Sequence, residues 1–199
     1  SSDLVIAGND SDCMAGGNTL NYSNVWPRDG ALVAEALLQA GADDLAEDWT
    51  AWCVRYLPES GRFVQKYWAD GTLGVSWHPF WLHGRVVEPI QIDETALSLW
   101  AAVRYVQSVL SQGASVPEEL LNWLSRPAEG CLTFIGEDGL PLPSWDLWEE
   151  RRGVSFFAVC SLIASLSEAA ELFGVLGDDD LAVRCQLAAE RMRESAVSK

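Results

Sequence analysis

Three short stretches of the sequence gather aromatic rings, carboxylates and an arginine: Trp26-Pro27-Arg28-Asp29, Gln91-Ile92-Asp93-Glu94 and Asp146-Leu147-Trp148-Glu149-Glu150. Aromatic rings stack on the apolar face of a pyranose, while charged groups hydrogen-bond its hydroxyls, so the mixture suits a sugar pocket. Glu149 has the strongest chemical case. Cleavage of a glycosidic bond needs one carboxylic acid that keeps its proton until the leaving oxygen takes it. Shielding by Trp145 and Trp148, with the like charges of Asp146 and Glu150, favours the protonated form. A nearby helix start favours the charged form by only ~1 kcal/mol, so the expectation is a protonated Glu149.

Each cluster also has a plainer account. Asp29 and Asp93 suit helix caps, Glu149 and Glu150 a solvated acidic pair, Trp148 a core position, and Arg28 a partner for any acid. His78 and His83 lack companions of metal-ligand type, so neither a metal nor another cofactor is expected. What favours a pocket is the conjunction: each cluster stands just ahead of a predicted helix, on connections that can share one rim.

The elements that must position these residues read as helices. Periodicity starts near Asp29, with Leu32, Val33, Ala36, Leu37 and Ala40 as one stripe and Gly41 as the stop. Asp43 or Asp44 caps a second helix with the face Leu45, Trp49, Trp52, Cys53 and Tyr56, ending before Pro58. Residues 61–76 read as a small extended excursion turning at Asp70-Gly71, and Trp77 to Pro89 as a long loop. A helix capped by Asp93 runs to about Ser111, and a shorter one starts at Val116-Pro117. Residues 126–153 read as a second long loop. An all-round apolar helix over 154–173, stopped by Gly174, must be covered on every side. A last helix begins at Asp178-Asp179-Asp180, a solvated charge run, and continues through Leu181, Val183, Leu187 and Met192. Short and long connections alternate. The expected architecture is all-α: helical hairpins in two layers, one domain over residues 1–199.

Composition fits that picture. Of the 199 residues, 49% are hydrophobic and 21% charged, which excludes a disordered tail. The net charge of −16 repels phosphate backbones, so nucleic acid is excluded as a partner while neutral sugars are tolerated. No stretch reaches ~18 uninterrupted apolar residues, so no membrane span is expected. The start lacks the basic and apolar regions of a signal peptide. Cys13, Cys53, Cys131, Cys160 and Cys185 are odd in number, and the last two with Cys53 sit on apolar helical faces, so they read as buried free thiols. The ten tryptophans are the outlier.

Trp26-Pro27-Arg28-Asp29-Gly30 ahead of a helix resembles the W-x-R-D signature of glucoamylases, a glycoside hydrolase family that includes glucodextranases and some bacterial trehalases. Asp146-Leu147-Trp148-Glu149-Glu150, followed by Gly153-x-Ser155-Phe156-Phe157, is similar to the same family's D-L-W-E-E-x-x-G-x-S-F-F segment. Pro89-x-Gln91-x-Asp93-Glu94 resembles the P-x-Q-x-D stretch between them. The resemblance runs from about Val5 to the end of the chain.

It implies part of an (α/α)6 barrel and hydrolysis of α-glucosidic bonds from the non-reducing end of glucans or gluco-oligosaccharides, with inversion. Glu149 would be the general acid, with Asp146 beside it as a second catalytic residue that tunes it. Trp26, Arg28, Asp29, Gln91, Trp148 and Glu150 would bind substrate. The family's tryptophan ahead of P-x-Q-x-D has no match, since Val86 and Val87 stand there; Trp77 and Trp81 are the nearest substitutes. Inversion needs a base roughly 6.5–9.5 Å from the acid, across the sugar. In the family that glutamate lies in the second half of the barrel, so the resemblance implies that this chain holds the acid without the base. Apolar helix faces left open would drive self-association or take a missing C-terminal half. The rival expectations are a non-catalytic glucan-binding or regulatory module, as in phosphorylase kinase regulatory subunits, and a helical scaffold without a sugar site.

Overall fold

A computed structural model describes residues 6–7, 22–74, 81–82 and 84–198. Cys13, Trp77, His78 and His83 lie outside the described residues. The helices are α1 (Pro27–Gln39), α2 (Asp43–Tyr56), α3 (Ile92–Ser111), α4 (Glu118–Leu132), α5 (Phe156–Leu176) and α6 (Asp179–Ser198). Two minimal antiparallel hairpins interrupt them, β1 (Trp81–Leu82) with β2 (Arg85–Val86) and β3 (Ser144–Trp145) with β4 (Arg152–Gly153).

The helices form three hairpins. α1, α3 and α5 make one row, with α3 in the middle packed against both neighbours, and α2, α4 and α6 form a second layer behind them. Within each hairpin the connection is short. Between hairpins it is long, so the N-termini of α1, α3 and α5 share a rim. The result is an arc of an (α/α) barrel.

α3 is the helix that is buried nearly all round. Thirteen of its twenty residues are inaccessible, among them Asp93, Glu94, Thr95 and Ser98. Apolar periodicity alone predicts that position for α5. Instead α5 exposes Phe156, Phe157, Cys160 and Val175 on one side, while Leu162, Leu166, Ala169 and Phe173 are buried on the other. It is long and apolar enough to cross a membrane by length and composition, yet half of that window is buried in contact with α3 and α6, as in a core helix. Cys160 is thus exposed, unlike the buried thiols Cys53, Cys131 and Cys185.

α1 reverses its predicted stripe. Leu32, Val33 and Ala36 face outward, and the buried face carries Arg28, Gly30, Ala31, Ala34 and Glu35. Small residues let α2 and α3 approach closely on that side. A methyl group at Gly30 would fall 2.3 Å from the Trp49 ring. Trp49 is itself stacked on Trp52, which packs against Phe63 and Tyr67, so it has no room to yield. Gly30→Ala is expected to cost about 1–3 kcal/mol by overpacking, read as a fall in the urea midpoint. This aromatic cluster also explains part of the tryptophan excess.

Other boundaries moved for identifiable reasons. α2 starts at Asp43 with Ala42 in the cap position and no side-chain cap; both aspartates are first-turn charges, and Asp43 Oδ2 accepts from Gln112 Nε2 at 3.2 Å. α4 runs through Pro127, where the proline and the following sequence predict a loop. Proline costs an interior helix one hydrogen bond and a carbonyl clash, but Leu124, Ala128 and Cys131 extend the buried face across it. α5 passes Gly174 and stops at Gly177, whose left-handed φ of 83° closes the end; Ser155 Oγ caps the start by accepting from Ala158 N–H at 3.1 Å. In α6, Val183 and Leu187 are exposed while Leu181, Cys185, Ala189 and Met192 are buried, and the helix continues past Arg191 and Arg193 to Ser198.

Over its described residues 61–74, the expected extended excursion is a backbone meander held by isolated antiparallel bridges, Tyr67 with Val25 and with Leu73. Tyr67 exchanges two hydrogen bonds with Val25, N–H to carbonyl at 2.8 and 2.9 Å, and Gln65 N–H donates to the Pro89 carbonyl at 2.9 Å. This pins the chain just before both Trp26 and Gln91. The Asp70-Gly71 turn forms, with Gly71 at φ 80°.

Candidate active site

The rim is assembled around a buried guanidinium. Arg28, in the first turn of α1, places Nη1 2.8 Å from Asp93 Oδ2, 3.1 Å from Glu94 Oε1 and 3.3 Å from Gln91 Oε1, with Nη2 3.3 Å from Asp29 Oδ2. The Arg28 backbone N–H also donates to Glu94 Oε2. α1 has no side-chain cap of its own, so an acid from α3 takes up one of its orphan donors. Asp29 and Asp93 are first-turn residues bound to arginine, not caps.

One cation faces two fully buried carboxylates. Burial pushes the Glu94 carboxyl well above the usual range, and the Arg28 charge only partly pulls it back; Asp93 is raised for the same reasons. Burial disfavours the arginine's charge, but Glu94 and Asp93 outweigh it and hold Arg28 firmly protonated. Because the folded pKa values lie above the unfolded values near ~4, the folded chain holds more protons as pH rises through that range. The stability these two acids contribute is therefore fully present below ~4 and is lost as pH rises through their folded values. Unfolding midpoints in urea should fall with rising pH more steeply for the native sequence than for Glu94→Gln; equal slopes would contradict this.

The third cluster sits on a hairpin, not at a helix start. Residues 146–151 join β3 to β4, and α5 begins only at Phe156, so the helix-end contribution expected at Glu149 is absent. Asp146 shapes the loop. Its Oδ1 accepts from the N–H groups of Glu150 at 2.9 Å and Arg151 at 3.2 Å, and its carbonyl accepts from Glu149 N–H at 3.0 Å. Within it Glu149 has φ 61°, the one non-glycine residue with positive φ among the described residues. A left-handed L-residue costs about 1–2 kcal/mol and persists where surrounding contacts over-determine it. Glu149→Gly is expected to raise stability by about 1 kcal/mol, read as a higher thermal midpoint.

Trp26 N–H donates to Glu149 Oε1 at 3.4 Å, and Glu149 Oε2 has no hydrogen-bond partner among the described residues. The two meet in a cleft of about 300 Å3 lined by Ala7, Tyr22, Trp26, Arg28, Asp29, Leu147, Trp148 and Glu149. That is at the small end of the ligand-pocket range, room for one sugar ring. Trp26 is buried as its floor, while Trp148 is 78% exposed and Tyr22 57%. Trp148 therefore presents a platform to solvent beside Glu149, which is half-buried. Glu150 is exposed on the same loop, and Gln91 is wholly buried behind the cleft. A larger concavity of about 500 Å3, near Glu47, Arg55, Tyr105 and Glu119, lies away from all three clusters and lacks an exposed aromatic face.

Two participants escaped the sequence reading. One is Glu94, for which its cluster implies no separate role; two adjacent acids opening an otherwise apolar helix are the signal for it. Lys66, one of two lysines in the chain, is buried with Nζ 5.1 Å from the centre of the Trp26 ring. Burial lowers its pKa, and the charge of Glu149 opposes that shift. A lysine within an apolar, aromatic stretch was the only hint.

A barrel arc with an acid- and aromatic-lined cleft at the rim where its inner helices begin is a glucoamylase-type architecture. The family model for glycosyl hydrolases family 15 matches residues 4–197, and the chain belongs to that family. Among solved structures it is similar to a glucoamylase from Saccharomycopsis fibuligera, with 20% identity, 96% of this chain and 42% of that chain covered, and a TM-score of 0.71. It is similar also to a bacterial glucoamylase complexed with acarbose, at 24% identity, 87% and 22% coverage, and a TM-score of 0.63. A glycosidase matches at 18% identity, 98% and 51% coverage, and a TM-score of 0.69. The chain thus spans about half or less of the length of these solved relatives. No curated protein matches it.

Proposed function

We propose that this chain is the acid-bearing portion of an inverting α-glucosidase of glucoamylase type, acting at the non-reducing end of α-glucans or gluco-oligosaccharides. The observation that carries the reading is the meeting of Arg28, Asp29, Trp26, Trp148 and Glu149 around one sugar-sized cleft. Trp148 offers its face to a glucose ring, Arg28 and Asp29 hold hydroxyls, and Glu149 protonates the leaving oxygen. Asp146 fixes the loop that aims Glu149, and Glu150 reaches the next sugar. The acarbose held by the bacterial glucoamylase supports an oligosaccharide ligand of this class.

The base that activates water comes from outside residues 1–199. Among the described residues the cleft offers one further acid, Asp29, and it is bound to Arg28. The exposed apolar stripes of α1 and α5 are where the rest of a ring, or a second copy, packs; the whole chain forms a single domain within that ring. Titration of the chain with maltose, followed by tryptophan fluorescence alongside a glucose-release assay, tests this. The expected result is saturable binding with no glucose released. Release by the chain alone would place the base within it, and no binding would remove the sugar site.

A further inference from the structure

We propose that Gln91 is a positioning residue that locks the loop bearing Glu149 to the arginine network, and that it does not touch substrate. It is fully buried. Its Oε1 accepts from Arg28 Nη1 at 3.3 Å, and its Nε2–H donates to the Asp146 carbonyl. That same carbonyl accepts the Glu149 N–H at 3.0 Å. One amide therefore stands between the guanidinium and the turn in which Glu149 is held left-handed. The neighbouring peptide adds a second tie, Trp145 N–H to the Ile90 carbonyl at 3.0 Å.

The residue type fits the task. Gln91 occupies the N-cap position of α3 and makes no side-chain cap there. Asparagine, serine, threonine or aspartate at that place would fold back onto the helix's own N–H groups. Glutamine is poor at that duty and long enough to cross to the hairpin. Its two ends are also chemically distinct: only an amide offers an acceptor to arginine and a donor to a carbonyl from one planar group. Glutamate would keep the first bond and lose the second. Methionine, of similar length, would lose both.

The naming of Glu149 as the acid rests on the proposed function, but the coupling can be read without any sugar. Amide hydrogen exchange by NMR is measured at Glu149 and at Val103 and Val106 in the interior of α3, in the native sequence, Gln91→Glu and Gln91→Met. Exchange at Glu149 is expected to quicken about tenfold in both variants, as for loss of a hydrogen bond, while the α3 amides change no more than global unfolding requires. Unchanged exchange at Glu149, or an acceleration spread evenly over all three sites, would overturn the proposal. If Gln91→Met does not fold, Gln91→Glu carries the test, together with the native Gln91 side-chain amide protons. These are expected to be protected from exchange and to stay so with maltose added. Rapid exchange, or a nuclear Overhauser contact between that amide and the sugar, would also overturn it. Failure of maltose to bind would count against the sugar site and leave the exchange result standing.

Discussion

Arg28→Ala is expected to remove about 3–5 kcal/mol of folding free energy, the cost of leaving a buried charge without its partner. Among the described residues the guanidinium is the only positive group set between Asp93 and Glu94, and both carboxylates are buried. Without it the two acids must take up protons or draw in water, so the loss should be larger at pH 8 than at pH 5. Arg28→Lys should recover only part of the loss. An ammonium is a single point charge, whereas Arg28 spreads its contacts over Asp93, Glu94 and Gln91 through one nitrogen and Asp29 through another. Urea unfolding of the three proteins at both pH values checks this. A cost below 1 kcal/mol that does not vary with pH would show that the network is not what holds α1 to α3.

The second large effect concerns chemistry. In a protein that carries a complete family 15 ring around this sequence, Glu149→Gln should lower kcat on maltose by about 10²–10⁴-fold, the usual contribution of a general acid. Maltose binding should change little, since glutamine keeps the acceptor that faces the Trp26 N–H. Aryl glucosides whose leaving groups need no proton should lose less. An equal loss on both substrate types would mean that Glu149 serves position and not proton transfer. Full activity would remove the general-acid role from Glu149 and leave it a loop residue.

Much of this arrangement was legible in the order of residues. The helical hairpins with alternating short and long connections followed from periodicity and from Gly, Pro and Asp punctuation, and the three aromatic-acid clusters marked the stretches that meet. The departures on the helix faces share one physical cause, which is that local pattern does not say which neighbour covers a face. On α1 the apolar residues Leu32, Val33 and Ala36 gave the stronger periodic signal, but the side chosen for packing is the one whose small residues admit α2 and α3. Arg28 is buried there because Asp93, Glu94 and Gln91 complete it, and Glu35 because Arg104 of α3 does.

The hairpin at 144–153 was invisible for a different reason. Its strands are two residues long, too short for alternation, and the turn is set by the Asp146 side chain. The continuation of α4 through Pro127 likewise depends on what Ala128 and Cys131 bury, not on proline's own preference. Lys66 could not be placed at all from sequence, because only the pairing of Tyr67 with Val25 brings it beneath Trp26.

The most direct measurement is the indole N–H spectrum of the native chain during a maltose titration. The signals of Trp26 and Trp148 should move together on one saturation curve, while those of Trp49 and Trp123, buried in the helical core, stay in place. Movement of neither cleft indole at saturating sugar, or a response confined to residues remote from Arg28 and Glu149, would contradict a glucose site at this rim.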